Sequence, residues 1–186
     1  VHGLFVAIHC ALLNGSKMWF LPKFDADQVI DLLPRSTVLM GVPTFYTRLV
    51  DHPGLTREAC ANMRLFVAGS APLLAETFAA FENKTGLRIL ERYGMTETGM
   101  ITSNPLDGER LPATVGYPLP GVQVRVADED GKVLKAEEIG VLEVTGPNVF
   151  KGYWRMAGKT ASEFRADGWF ITAAVAKGAE DGGVSI

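Results

Sequence analysis

Cysteine, basic clusters and long apolar runs are all scarce in this chain. Cys10 and Cys60 are its 2 cysteines in 186 residues. They form no CxxC pair and no disulfide framework, so a reducing cytoplasm is the expected compartment. No block of Lys or Arg occurs, and 18 basic against 21 acidic residues leave a formal charge of −3. That balance offers no electrostatic footprint for nucleic acid or an anionic membrane. The most apolar stretch, Gly3 to Leu13, contains His9 and is broken by Asn14-Gly15-Ser16. It falls short of the roughly 20 residues a bilayer requires. No GxxxxGK[ST] phosphate loop and no strand-coupled GxGxxG is present, which argues against a Walker-type site and a dinucleotide fold. No basic segment and cleavage site precede the opening apolar run, so no signal peptide is read. That abrupt start, and an end at Gly182-Gly183 resembling a turn into a strand, suggest a chain cut from a larger domain.

What is present suits a packed α/β core. Hydrophobic residues make up 47% of the chain, near the globular average, and the length suffices for one ordinary domain or two small ones. Lys17 to Leu21 reads as a strand. Asp25 reads as an N-cap before a helix over Gln28–Leu33 that Pro34 closes. Thr37–Met40 reads as a buried strand, and Pro43 opens a helix carrying Phe45, Tyr46 and Leu49. Leu65–Ala68 is a further strand. The next helix places Leu74, Phe78 and Phe81 on one face and ends at Gly86. Arg88–Tyr93 follows as a strand. Alternating strands and helices imply βαβ units on a mostly parallel sheet.

After Ser103-Asn104-Pro105 the pattern changes. Val122, Val124 and Val126 alternate, Asp128-Glu129-Asp130-Gly131 reads as a hairpin turn, and Val141, Leu142 and Val144 follow. Only a short helix, Thr160–Phe164, interrupts. The expected organisation is an α/β subdomain over 1–112 and a small β-rich, barrel-like subdomain over 113–186.

Two turns could carry chemistry. In Glu91-Arg92-Tyr93-Gly94-Met95-Thr96-Glu97-Thr98-Gly99 a strand runs into hydroxyls and a carboxylate, beyond the carboxyl end where parallel sheets bind ligands. Threonine hydroxyls and turn amides suit phosphate oxygens, a carboxylate suits Mg2+, and Tyr93 offers a flat face for a base. The same segment also reads as a polar turn punctuated by Gly94 and Gly99. Gly69-Ser70-Ala71-Pro72 is a second strand-to-helix turn, whose small residues permit close backbone approach by a ligand.

Taken together, Val67-Ala68-Gly69-Ser70-Ala71-Pro72-Leu73 and Glu91-Arg92-Tyr93-Gly94-Met95-Thr96-Glu97-Thr98 resemble the adenylate-forming family of acyl-CoA synthetases. Gly41-Val42-Pro43-Thr44-Phe45-Tyr46, Thr114 to Val122, Gly140 to Pro147 and Gly152-Tyr153-Trp154 fit that family in order and spacing. His2-Gly3-Leu4-Phe5 and Ser103-Asn104-Pro105 to Arg110 make the chain most similar to its malonyl-CoA and methylmalonyl-CoA synthetases. The resemblance implies that ATP and a carboxylate give an acyl-adenylate, from which coenzyme A displaces AMP. It places Gly69, Ser70, Ala71 and Pro72 at the adenine, with Glu91, Arg92, Tyr93, Gly94, Met95 and Thr96 also at the nucleotide and Tyr93 stacked on the ring. Thr96 would hold the α-phosphate and Glu97 would bind Mg2+; these two are the expected catalytic residues. For the acyl pocket the expected residues are His2, Ser70, Met100 and Arg110, with Arg110 suited by its fork to the second carboxylate of malonate or methylmalonate. Each has an ordinary alternative: a surface ion pair for Arg110, core packing for Met100, a structural role for His2.

The chain departs from the family in three respects. The Ser/Thr/Gly-rich phosphate loop and the C-terminal domain with its adenylation lysine have no counterpart in these residues. After Gly168-Trp169-Phe170-Ile171-Thr172, where the family has Gly-Asp-Leu-Gly, the chain reads Ala173-Ala174-Val175-Ala176, and Ala174 offers the ribose no acceptor. These 186 residues are therefore expected to be inactive alone. Two other readings stay open: a synthetase for another short or aromatic acid, and a non-catalytic piece serving as a binding module.

Overall fold

A computed structural model describes the chain from His2 to Ile186. The opening apolar run forms a π-helical turn, His2–Ile8, followed by α1, His9–Leu13. The chain then divides into two units. The first runs to Glu91 and includes Leu106–Ala113; the second comprises Arg92–Pro105 and Thr114–Ile186.

The first unit is built on a parallel ladder. Strands β1 (Val38–Gly41), β2 (Leu65–Ala68) and the start of β3 (Ile89–Met95) pair in that order. Helices α2 (Ala26–Leu32), α3 (Pro43–Asp51) and α4 (Ala75–Thr85) connect or precede them. Asp25 caps α2, its carboxylate accepting from the Gln28 amide at 3.1 Å, an arrangement worth about 1 kcal/mol. Gly86 ends α4 at φ +74, a left-handed turn that a side chain would strain. Tyr46, Phe66 and Phe81 are fully buried and meet edge to face, Phe66 and Phe81 with centroids 4.8 Å apart. The Tyr46 hydroxyl donates to the Val67 carbonyl at 2.7 Å, so its burial leaves no orphaned donor.

Two expectations fail here. Lys17–Leu21 forms no strand, and Trp19 and Phe20 are exposed; apolar content cannot make a strand without a ladder partner, and β1 pairs only with β2 among the described residues. Leu74 sits at the N-cap of α4, exposed, so Phe78 and Phe81 carry the buried face without it.

The second unit is antiparallel. The end of β3 pairs with β4 (Gly99–Ser103), and β4 with β5 (Tyr117–Pro118). A second sheet orders β6 (Gln123–Ala127), β7 (Ile139–Thr145), β8 (Phe170–Gly178) and β9 (Val184–Ser185). The turn at Asp128 forms, with the Gly131 amide donating to the Asp128 carbonyl at 3.0 Å. It closes only on a bridge between Ala127 and Val133, and the full return strand is β7. Helix α5 spans Ala157–Glu163, starting three residues earlier than the sequence suggests and releasing Phe164 into extended backbone.

Glu143, fully buried on β7, accepts from Arg125 Nε at 2.7 Å and from Arg165 Nε at 2.8 Å. Arg125 continues to Asp167 at 3.0 Å and lies over the Trp169 ring. Arg165 also reaches the Asp128 and Glu129 carbonyls. One buried carboxylate thus ties together β6, β7 and the segment leading into β8. Among the described residues no helix is long and apolar enough to cross a membrane.

Candidate functional site

In the first unit the carboxyl end of β2 and the end of the parallel stretch of β3 lie side by side, Ala68 opposite Glu91. Gly69-Ser70-Ala71-Pro72 leaves β2 there, with Ser70, Ala71 and Pro72 exposed. Ser70 has φ +72, a left-handed backbone that costs a serine roughly 1–2 kcal/mol. Glu91 is buried, and its carboxylate accepts from the Leu73 amide at 3.2 Å, pinning the exit of that loop to the strand beside it. Burial pushes the Glu91 carboxyl up to about 7, against the opposing pull of the Leu73 and Ala113 backbone.

That shift has a sign. The ordinary value is 4.5, so the folded state holds the proton more tightly than the unfolded chain. The stabilisation is complete at low pH and is lost as pH rises through the folded value. Denaturant titrations between about pH 5 and pH 8 should show stability falling by up to about 3 kcal/mol, a slope that Glu91→Gln removes. An unchanged slope in the variant would assign the pH dependence to other groups.

Arg110 belongs to this unit but to the other end of β3. Its Nη1 donates to the Arg88 carbonyl at 2.7 Å and its Nη2 to the Leu106 carbonyl at 2.8 Å. Arg88 precedes Glu91 by three residues, about 10 Å along a strand. The side chain of His2 lies outside the described residues.

The second unit carries the other turn. A bulge between Tyr93 and Gly94 breaks the β3–β4 register, and Thr96-Glu97-Thr98 closes the hairpin. Gly94 is obligatory, since a Cβ there would meet the Gly99 carbonyl and Met100. Thr96 is exposed, Glu97 half-buried and Thr98 buried. The Phe150 amide donates to the Glu97 carbonyl at 2.8 Å, and Asn148 Nδ2 donates to the Thr98 carbonyl at 2.8 Å. The turn is therefore held from outside. The Tyr153 hydroxyl lies 3.1 Å from Glu97 Oε1 and 2.8 Å from Glu163 Oε2.

Tyr93 packs against two apolar clusters, one built on Val126 and Leu142, the other on Ile101 and Phe170. Burial pushes its phenol upward, against a hydrogen bond with Thr172. Met95 sits beside its hydroxyl, and Arg92 is half-buried. Ala174, two residues after Thr172 on β8, packs on the first of those clusters and donates its amide to Thr172 Oγ1 at 3.2 Å. So Tyr93, Gly94, Met95, Thr96, Glu97 and Met100 share one hairpin. Asn148, Phe150, Tyr153 and Glu163, which hold or touch it, have no role in the sequence reading. The one signal for them is Gly152-Tyr153-Trp154, visible as a motif without a role.

Chemically, the hairpin offers a fixed carboxylate beside an exposed hydroxyl. Glu97 Oε2 has no hydrogen-bond partner among the described residues. One hard oxygen of this kind suits a divalent cation that takes its other ligands from phosphates and water.

The family model described as AMP-binding enzyme matches residues 1–154. The mitochondrial malonate–CoA ligase of Mus musculus is 38% identical over 92% of this chain and 36% of its own length. ATP-bound MatB from Rhodopseudomonas palustris superposes with a TM-score of 0.97 at 60% identity, covering 100% of this chain and 37% of that one. A malonyl-CoA ligase ternary product complex with methylmalonyl-CoA and AMP bound gives 0.90 at 40% identity, covering 100% and 41%. The chain spans about a third of the length of the curated relatives it matches.

Proposed function

We propose that this chain, which belongs to the AMP-binding enzyme family, forms part of an ATP-dependent carboxylate–CoA ligase that works through an acyl-adenylate. The observation that carries this reading is the externally clamped Thr96-Glu97-Thr98 hairpin, with an exposed hydroxyl and an unshared carboxylate oxygen. During attack on the α-phosphorus, negative charge accumulates on its oxygens, and donors already in place stabilise it. Thr96 would donate there, and Glu97 would hold a Mg2+, which when bound would screen the phosphates. Tyr93 supplies a flat surface for adenine; in the other unit, the small residues Gly69 to Pro72 permit close backbone approach by a ligand.

Malonate or methylmalonate is the acid in this reading, supported by the substrates named for its relatives and by Arg110 as a fork-shaped cation. Coenzyme A is the acceptor. Residues 1–112 hold the side chains assigned to the adenine and the acid, and 113–186 the rest of the β-rich part. The free thiols of Cys10 and Cys60 fit a reducing compartment, the cytoplasm here. These residues alone do not complete the reaction, because the triphosphate must be gripped at several points.

The test is malonate-dependent exchange of pyrophosphate into ATP by the whole protein. Glu97→Gln should reduce exchange by at least about tenfold, the usual penalty for disturbing a metal site. Unchanged exchange would remove Glu97 from the site. Position 174 supplies a gain-of-function counterpart. Ala174 lies half-buried on β8, and Ala174→Asp introduces a charged acceptor worth roughly 1.5–3 kcal/mol to a ribose hydroxyl. ATP should then bind about tenfold or more tightly by calorimetry, whereas no gain would mean that the sugar does not approach β8.

A further inference from the structure

The Tyr153 hydroxyl has one proton and two carboxylate neighbours. Glu163 Oε2 is the nearer at 2.8 Å, and Glu97 Oε1 stands at 3.1 Å. The phenol cannot swing freely between them. The Tyr153 amide is anchored to Thr160 Oγ1 at 2.9 Å. Lys159 Nζ lies 4.3 Å from the ring centroid and 3.8 Å from Glu163 Oε1, drawing the ring and the Glu163 carboxylate to the same side. Phe150 packs edge to face with the Tyr153 ring, their centroids 4.8 Å apart. The backbone of Glu97 is held in turn, its main-chain carbonyl accepting from the Phe150 amide. A hydroxyl donates one hydrogen bond at a time. While it serves Glu163, it turns an oxygen lone pair toward Glu97, whose carboxylate then stands uncompensated.

We propose that Glu163 is a positioning residue for cation binding: by accepting the Tyr153 hydrogen bond it leaves the Glu97 carboxylate oxygens open toward the divalent cation of the bound nucleotide. This rests on the reading of Glu97 as the cation ligand. It separates two roles that a plain acidic cluster would merge. Glu97 contacts the cation, whereas Glu163 acts through the phenol and never touches it.

Mn2+ is the probe, its free concentration followed by electron paramagnetic resonance in the whole protein with ATP present. Glu163→Asp keeps the charge but withdraws the carboxylate from the phenol by one methylene. The phenol then turns its hydrogen bond to Glu97, and Mn2+ affinity should fall roughly three- to tenfold, the net worth of one hydrogen bond. Adding Tyr153→Phe to Glu163→Asp removes the proton altogether and should restore the affinity. Unchanged affinity in Glu163→Asp overturns the proposal, as does a loss that Tyr153→Phe fails to rescue. If the double variant does not fold, Glu163→Asp alone still decides, since a simple charge effect predicts no loss from it. Glu97→Gln distinguishes the two levels. Unaltered Mn2+ binding there overturns the cation-ligand reading itself. Weakened binding there, with Glu163→Asp silent, overturns only the role of Glu163.

Discussion

Arg110→Ala in the whole protein is expected to raise the KM for malonate far more than the KM for ATP. If the guanidinium meets the second carboxylate of the acid, truncation leaves that carboxylate without its charged partner, a loss on the order of 2–5 kcal/mol. The structure adds a complication that the experiment must separate. Arg110 also donates to the Arg88 and Leu106 carbonyls, so alanine loosens the 106–110 segment as well. A purely structural loss would lower the melting temperature and disturb both substrates alike. Arg110→Lys separates the causes, because an ammonium keeps the charge yet lacks the planar fork that spans two carbonyls. Equal effects on both KM values would move Arg110 out of the acyl pocket and leave it as the clip between Leu106 and the start of β3.

Glu143→Ala is expected to cost about 3–5 kcal/mol of stability, the range for breaking a buried ion pair by removing one partner. Both Arg125 and Arg165 spend their Nε donors on this carboxylate. Arg125 would retain Asp167, and Arg165 the carbonyls of Asp128 and Glu129. Neither substitute supplies the missing negative charge inside the sheet. The melting temperature should fall by roughly 10 °C, and added salt should neither mimic nor mask the loss, because screening acts mainly on exposed pairs. A drop of only a degree or two would mean that water enters and solvates both arginines. Glu143→Gln should be milder, since its amide oxygen still accepts from one of them.

The parts of this fold readable from sequence are those fixed by local chemistry. Leu65–Ala68 is four apolar residues ending at a glycine, and β2 spans those same four. Asp25 before Ala26 is a capping side chain, and its carboxylate takes the Gln28 amide. Lys17–Leu21 shows the limit, being strand-like in composition while its pairing depends on a partner that local sequence does not name. The candidate site divides along the same line. Thr96-Glu97-Thr98 after a strand is visible as residue types. The groups that immobilise or touch it come from Asn148, Phe150, Tyr153 and Glu163, more than 45 residues onward. Their contacts come from the loop after β7 and from α5, and no periodicity encodes them. Glu91 reads as a polar residue beside a ligand turn, but its burial and its grip on the Leu73 amide follow from the register of β2 against β3.

The path of the chain between its two units limits how this protein can exchange parts with its relatives. It leaves the first unit after Glu91, returns for Leu106–Ala113, and leaves again at Thr114. A recombination event with a single junction after Glu91 would give the hybrid a first unit whose Leu106–Ala113 segment comes from the other parent. The segment that brings Arg110 to the Arg88 carbonyl would then be foreign to the strand it grips. Keeping each unit within one lineage takes three junctions, at 91/92, 105/106 and 113/114. The first of these falls inside β3, where gaining or losing one residue turns every later side chain to the opposite face. Inheritance of the Arg110 clip is thus tied to inheritance of the strand, although 22 positions separate Arg110 from Arg88 in sequence.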